Sequence, residues 1–246
     1  MSQFSHSSTC NRLLLALSPA DWNNVAPHLT RVSVALRQPF ESAHKPIEFV
    51  YFLESGLASI VAQLPNGHSN EVGLFGYDGM TGSSLIYGDK ESPFDCFAQM
   101  EGEALRMPAE ALSAAISASP ALKRVTMHFA RALAVQTAYT ALSNGQSHVD
   151  QRLARWLLMV HDRVSGDEFA ITHEYLSIML GVRRTGVTDA MHLLEGKRLI
   201  VSTRNRVVIK DRSGLIELSS GAYGPAEKEY TRITGLDLAK MDMMTA

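Results

Sequence analysis

THEYLSIMLGVRRTGVTDAMHLLE, residues 172–195, meets the physical demands of two short helices crossing at a tight turn. Such a turn needs a residue that tolerates left-handed φ, and Gly181 stands there. Four residues earlier the helices cross closely, and Ser177 is small enough to allow it. Leu176, Leu180, Val182, Val187 and Ala190 supply apolar side chains around the turn and under the second helix. Thr172 is a good N-cap, and Glu174 suits the positive end of the first helix. The second helix opens with Arg183, Arg184 and Thr185 and continues through Thr188 and Asp189. From the start of a recognition helix these side chains can reach phosphates and base edges. Gly186 inside that helix costs about 1 kcal/mol against alanine. Close approach to something is the one reason the sequence offers for it.

Immediately downstream, GKRLIVSTRNRVVIKD (196–211) reads as a hairpin, LIVST and VVIK, around Arg204-Asn205-Arg206. Asn205 can hold the turn, and two arginines at a hairpin tip make a wing that grips phosphates. Upstream, residues 148–163 form an amphipathic helix that buries Leu153, Trp156, Leu157 and Val160 and shows Arg152, Arg155 and Asp162 to the other side. Further back, ALKRVTMHFARALAVQTAYTAL (121–142) runs without Gly or Pro, and Asn144-Gly145 ends it. Leu122, Val125, Phe129, Ala132, Gln136 and Tyr139 fall on one stripe at spacings of three and four. Its alanines permit close helix approach. The helix reads either as core packing on the preceding domain or as the seam of a twofold dimer, and its length between two domains favours the seam. AEALSAAISA (109–118) is a shorter helix, stopped by Ser119-Pro120.

From about 29 to 108 the pattern is strand-like, with short apolar runs separated by turn residues: VSVAL, FVYFLESGLASIVAQL, EVGLF, FAQM and ALRMP. Pro65-Asn66-Gly67 reads as a type I′ hairpin turn between SIVAQL and SNEVGLF. Strands at this spacing without intervening helices argue for an antiparallel barrel or roll. Residues 11–28 look like a helical hairpin, with Ser18 as N-cap and Pro19 at the first helical position.

The formal net charge of -2 over 246 residues hides a division. Residues 150–212 carry 11 Lys+Arg against 8 Asp+Glu, whereas residues 1–149 carry 9 against 12. A basic segment in an acidic chain hints at a polyanion partner. A hydrophobic share of 46% and a charged share of 20% are globular values. No run approaches the roughly 18 apolar residues of a membrane span, and MSQFSHSSTC has neither the basic start nor the apolar core of a secretory signal. The expectation is a soluble cytoplasmic protein with no membrane association. Cys10 and Cys96 are too few for a disulfide framework or a four-thiolate metal site, and Cys96 reads as a small core residue.

These segments resemble the Crp–Fnr family of bacterial transcription regulators, in a cyclic-AMP-receptor-like form with a divergent sensor. The resemblance covers about residues 11–215 and is carried by YFLESGLASIVAQLPNG (51–67), VGLFGYDGM (72–80), DQRLARWLLMVHDRV (150–164) and THEYLSIMLGVRRTGVT (172–188). It implies an α+β fold: an antiparallel β-roll sensor (11–118), a dimerisation helix and hinge (119–147), a winged helix-turn-helix (148–220) and a tail (221–246), the tail partly disordered beyond 225. It also implies a homodimer, joined through the helix 120–142, on a palindromic DNA operator, with RNA polymerase and a small effector as further partners. The family's base-reading arginine falls on Arg184. The next position, often Glu, is Thr185, and the helix's second Arg is replaced by Asp189, so the half-site differs from the best-known one. In all, Thr172, Arg183, Arg184, Thr185, Thr188, Asp189, Arg204 and Arg206 are the candidate DNA contacts. The effector pocket falls on Gly79, Met80, Thr81, Gly82, Ser83, Ser92 and Pro93. A cyclic phosphodiester needs a fixed cation and a carboxylate for the ribose. Here the family's Arg-Ser is Ser92-Pro93 and its Glu is Gly82 or Ser83, so cyclic AMP is not the expected ligand.

Other chemistry fits less well. His173-Glu174 opens like a zinc-protease motif, but Ser177 stands where the second His belongs. Gly73, Gly76 and Gly79 match neither a dinucleotide fingerprint nor a phosphate loop. His44, His68, Glu54 and Glu71 are too scattered for a cupin-type metal enzyme. The expectation is therefore no enzyme, no cofactor and no metal. The alternative to a DNA-binding regulator is a small-molecule-binding or protein-interaction module that has lost DNA.

Overall fold

The computed structural model describes residues 5–238. Two short helices, α1 (Arg12–Leu15) and α2 (Pro19–Val25), lead into β1 (Thr30–Val34), β2 (Pro39–Glu41), β3 (Phe49–Leu53), β4 (Leu57–Gln63) and β5 (Ser69–Phe75). After α3 (Ser83–Ile86) come β6 (Asp95–Met100), β7 (Gly102–Pro108), α4 (Ala109–Ala118) and α5 (Pro120–Gln146). The C-terminal part is α6 (Val149–His161), β8 (Glu168–Ala170), α7 (His173–Leu180), α8 (Arg184–Gly196), β9 (Ile200–Thr203), β10 (Arg206–Ile209), α9 (Arg212–Leu218) and α10 (Pro225–Thr234). Ser18 caps α2, as expected, by accepting from the Asp21 N–H at 3.2 Å. Ser119 caps α5 in the same way, with Pro120 at the first position.

The roll consists of two antiparallel sheets, ordered β1-β7-β3 and β2-β6-β4-β5. Leu14, Phe52, Phe75, Leu105 and Leu112 fill it, and Leu122 and Phe129 of α5 close one side. Each such side chain contributes roughly 1.5–3 kcal/mol by leaving water. The stripe marked on α5 by the sequence therefore serves packing within the chain. Gln136 confirms the direction: its amide donates to the Leu74 carbonyl at 3.0 Å and accepts from the Leu74 N–H at 2.8 Å. Another stripe of α5 stays exposed: Met127, Arg131, Ala134, Ala138, Ala141 and Gly145, alternating four and three apart. The helix also runs through Asn144-Gly145 to Gln146: Gly145 does not take the left-handed φ that would stop it, and the Ser147 N–H closes the last turn on the Ser143 carbonyl at 2.9 Å.

The β4–β5 hairpin forms, but not through a type I′ turn. Gly67 takes φ 85° while Asn66 keeps negative φ. The Asn66 side chain instead accepts from the His68 N–H at 3.1 Å, which holds a longer loop closed.

Strands β8, β10 and β9 form the wing sheet. The core of this C-terminal part is continuous with the outer face of the roll: Leu57, Val61 and Leu74 join Trp156, Leu157, Leu176 and Leu194. Helix α6 is thus covered on both faces, which overturns the expectation of an exposed polar face. Arg155 and Asp162 are 5% and 2% exposed, and Arg152 donates to the Leu180 carbonyl.

The tail also departs from expectation. Residues 225–234 form α10, which lies along α5 with Tyr230 and Leu238 against Ala132. The Tyr230 hydroxyl donates to the Asp78 carbonyl at 3.0 Å. The apolar positions of this helix are too few to stand out in a charged stretch, and the helix depends on α5 to bury them. The rest of the expected disordered tail, 239–246, lies outside the described residues.

Candidate DNA-binding surface and sensor interior

Thr172 caps α7 by accepting from the Tyr175 N–H at 3.2 Å. Gly181 then turns the chain with φ 59° and ψ 39°. A Cβ there would also lie 2.3 Å from Oδ1 of Asn70 on the roll, but that side chain is exposed and can turn aside, so it is the left-handed φ that requires glycine. Val187, Ala190, Met191 and Leu194 form the buried face of α8. On the opposite side Arg183, Arg184, Thr185 and Asp189 are exposed. Thr188 is turned back instead: its hydroxyl donates to the Arg184 carbonyl at 3.1 Å and lies 3.2 Å from Nδ1 of His173. Around Gly186, a Cβ would meet nothing within 4 Å among the described residues, so they do not supply a close approach there.

In the wing, β9 pairs with β10 in the register Arg206↔Thr203, and Asn205 holds the turn with φ 62°. A cleft of about 440 Å³ separates α8 from the wing, and Thr172, Arg184, Arg204 and Arg206 all line it. Four residues scattered over 35 positions of sequence are thus brought to one groove. Among the described residues Arg183, Arg184 and Arg204 form no ion pair, while Arg206 bonds Glu168 at 2.5 Å. Glu168, across the wing sheet, carries no signal in the sequence, and Glu174, which the sequence marks as a first-turn acid of α7, stands on the cleft wall because the helix packing brings it there.

The residues expected to form an effector pocket pack the interior of the roll. A Cβ on Gly79 would lie 2.6 Å from the Phe129 ring. Met80 and Thr81 are each 1% exposed, and Thr81 accepts from the Tyr51 N–H at 2.9 Å. Gly82, with φ 76°, precedes α3, whose first residue is Ser83. The Gly82 N–H donates to Glu41 Oε1 at 2.6 Å, so a carboxylate of the chain itself holds this amide. Burial pushes the Glu41 carboxyl up, against the bonds from Gly82 and Ser92. Ser92 is buried and Pro93 exposed. Glu41 carries no motif and was missed.

Several polar links join roll and C-terminal part, the Tyr77 hydroxyl on the Asp162 carbonyl at 2.7 Å among them. Arg163 holds Asp78 with Nε at 3.1 Å from each carboxylate oxygen and Nη2 at 2.8 Å, and both side chains are 2% exposed. The Trp156 indole donates to Glu71 Oε1 at 2.8 Å, and Glu71 Oε2 lies 2.6 Å from the Ser59 hydroxyl. Burial pushes Glu71 up to about 7, against the bonds from Ser59 and Trp156. Ser59 also touches Gln99 Oε1. One hydroxyl hydrogen cannot serve two acceptors, so either Glu71 is protonated and donates to Ser59, or the Gln99 amide is turned and donates its Nε2 to the hydroxyl.

Residues 151–218 match the Crp-like helix-turn-helix domain, and residues 40–119 match the cyclic nucleotide-binding domain. The chain belongs to the Crp–Fnr family. No curated protein sequence matches this Crp–Fnr regulator. Among solved structures it is similar to a transcriptional regulator of the family from Eubacterium rectale, with 18% identity and a TM-score of 0.67 over 86% of this chain and 99% of that one. It is similar to FixK2 from Bradyrhizobium japonicum, with 16% identity and a TM-score of 0.67 over 77% and 96%. It is also similar to the c-di-GMP responsive global regulator CLP from Xanthomonas campestris, with 16% identity and a TM-score of 0.62 over 78% and 99%. Crp–Fnr proteins are transcription regulators. Among the described residues of this one, no helix is long and apolar enough to cross a membrane.

Proposed function

We propose that this Crp–Fnr regulator is a homodimer that binds a palindromic DNA operator in a sequence-specific way. The observation that carries the reading is the cleft between α8 and the wing, where Arg184 and Arg204 stand without ion-pair partners among the described residues. In this reading Arg183, Arg184, Thr185 and Asp189 enter the major groove, and Arg184 reads a base edge through its planar fork. Arg204 holds backbone phosphate, and Arg206 joins it by exchanging Glu168 for phosphate. Thr172 and Thr188 set helix positions and do not touch bases. The exposed α5 stripe of Met127, Ala134, Ala138 and Ala141 is the dimer seam, since its four-three spacing suits helix pairing. Two such units present recognition helices to half-sites about one helical turn apart.

An electrophoretic titration on the protein's own upstream DNA, at two salt concentrations, tests this. Arg184→Ala should cost roughly 1–3 kcal/mol and blur one base position. Arg204→Ala should weaken all sequences alike and reduce the salt slope by about one unit. Uniform loss in both variants would remove the base-reading role from Arg184.

A further inference from the structure

The winged helix is joined to α5 twice. Ser147 and His148 carry the chain from the end of α5 into α6. After α9, residues 219–224 lead back, and α10 lies along α5 with Tyr230 and Leu238 against Ala132. At a rise of about 1.5 Å per residue, Ala132 stands about 20 Å along the helix from Gln146, where the first attachment begins. A module held at one end can swing about its linker. One held at two separated points of a stiff helix cannot.

The returning segment is seated at each step. Arg155 Nε donates to the Ala222 carbonyl at 3.0 Å. The Tyr223 hydroxyl accepts from Arg212 Nη2 at 2.7 Å and donates to Asp162 Oδ2 at 2.8 Å. The Gly224 N–H donates to Glu227 Oε2 at 2.7 Å, which closes the first turn of α10. Ala226 and Tyr230 are buried.

Helix α10 also covers a link between roll and winged helix. The Tyr230 hydroxyl donates to the carbonyl of Asp78, the residue whose carboxylate holds Arg163. Asp78, Arg163, Glu227 and Tyr230 border a gap of about 10 Å³, room for one water molecule at most. Burial works against the charge on Arg155, and Glu227 is first among the charges that support it. Ion pairs kept from water attract far more strongly than pairs open to it. Without α10 the Asp78–Arg163 link would therefore loosen together with the second attachment.

Neither binding surface is occupied by this helix. The cleft of α8 and the wing is lined from within residues 171–207, and Met127, Ala134 and Ala138 of α5 stay exposed beside α10. The helix also lies beyond residues 151–218, which match the helix-turn-helix domain.

We propose that α10 is a brace: it fixes the winged helix on α5 and so sets the distance and angle between the two recognition helices of the dimer, with Tyr230 as a positioning residue. The inference rests on the DNA-binding reading above. Its consequence is strictness about half-site spacing. One base pair more or less between half-sites moves one of them by about 3.4 Å and about a tenth of a turn. A braced dimer meets the shifted site only by deforming the duplex, which is costly. An unbraced one swings to meet it.

Electrophoretic titration compares the full-length wild type, Tyr230→Ala and, as a control on the same helix, the exposed Lys228→Ala. The DNA is a palindrome of half-sites from the protein's own upstream region, with its centre as found, one base pair longer or one shorter. Wild type and Lys228→Ala should lose about tenfold or more in affinity when the centre changes length, and Tyr230→Ala about threefold or less. A changed base inside the half-site should cost all three proteins the same. Loss of folded protein would lower every affinity together and leave these ratios alone. If Tyr230→Ala does not fold, the same criterion is read from Tyr230→Phe, which keeps the ring and loses the bond to Asp78. A wild type indifferent to the centre, a position-230 variant as strict as wild type, or Lys228→Ala as relaxed as that variant overturns the brace. Arg184-dependent binding of wild type to its own site stands in each of these cases. Absence of that binding overturns the DNA-binding reading, and the brace with it.

Discussion

Replacing Glu71 by glutamine should remove most of a pH dependence that wild-type protein carries in its interface between roll and C-terminal part. Glu71 is buried, and its carboxyl is raised from 4.5 to about 7, chiefly by burial. Below pH 4.5 the acid is neutral in folded and unfolded chains alike, so folding gains nothing by deprotonating it. Between 4.5 and about 7 the unfolded chain ionises while the folded chain keeps its proton, so stability falls as pH rises. Above about 7 the folded chain ionises too and the loss is complete. At about 1.4 kcal/mol per pH unit the loss amounts to about 3 kcal/mol. Glu71→Gln has nearly the same shape, can still accept from the Trp156 indole and can donate to Ser59, but does not ionise. Urea unfolding, followed by tryptophan fluorescence, is compared for the two proteins at about pH 4.5 and about pH 8. The advantage of Glu71→Gln over wild type should grow by about 3 kcal/mol between them. Other titrating groups cancel in this double difference unless they couple to Glu71. An advantage that is the same at both pH values would refute the argument that burial governs this carboxyl.

Gly186→Ala should raise stability by about 0.5–1 kcal/mol, since its Cβ meets nothing among the described residues. The same change should weaken DNA binding if Gly186 admits the duplex, so denaturation and electrophoretic titration should move in opposite directions. Asp78→Asn leaves Arg163 buried without its counter-charge, and urea unfolding should show a loss of about 3–5 kcal/mol. Ala138→Glu places a charge in the exposed α5 stripe, and sedimentation should show monomer with little change in unfolding temperature.

The helix-turn-helix was legible because its determinants are local. Thr172 caps, Gly181 turns and Val187 to Leu194 repeat at helical spacing within one short segment, and each of these preferences acts over a few residues. The roll was legible for the same reason, through alternation and turn residues, although the β4–β5 turn took another form because Asn66 bonds the following amide. Local preferences therefore fix the order of elements, the α+β class and which arginines the winged helix carries. Packing between distant segments settles which face of α5 is free, that α6 is buried on both sides, that Glu41 takes the Gly82 amide, and that α10 lies on α5. It also places Arg206 against Glu168. These depend on pairs far apart in the chain, such as Asp78 with Arg163 and Glu71 with Trp156. A charge or a burial that arises from two distant segments leaves no period or spacing in either one.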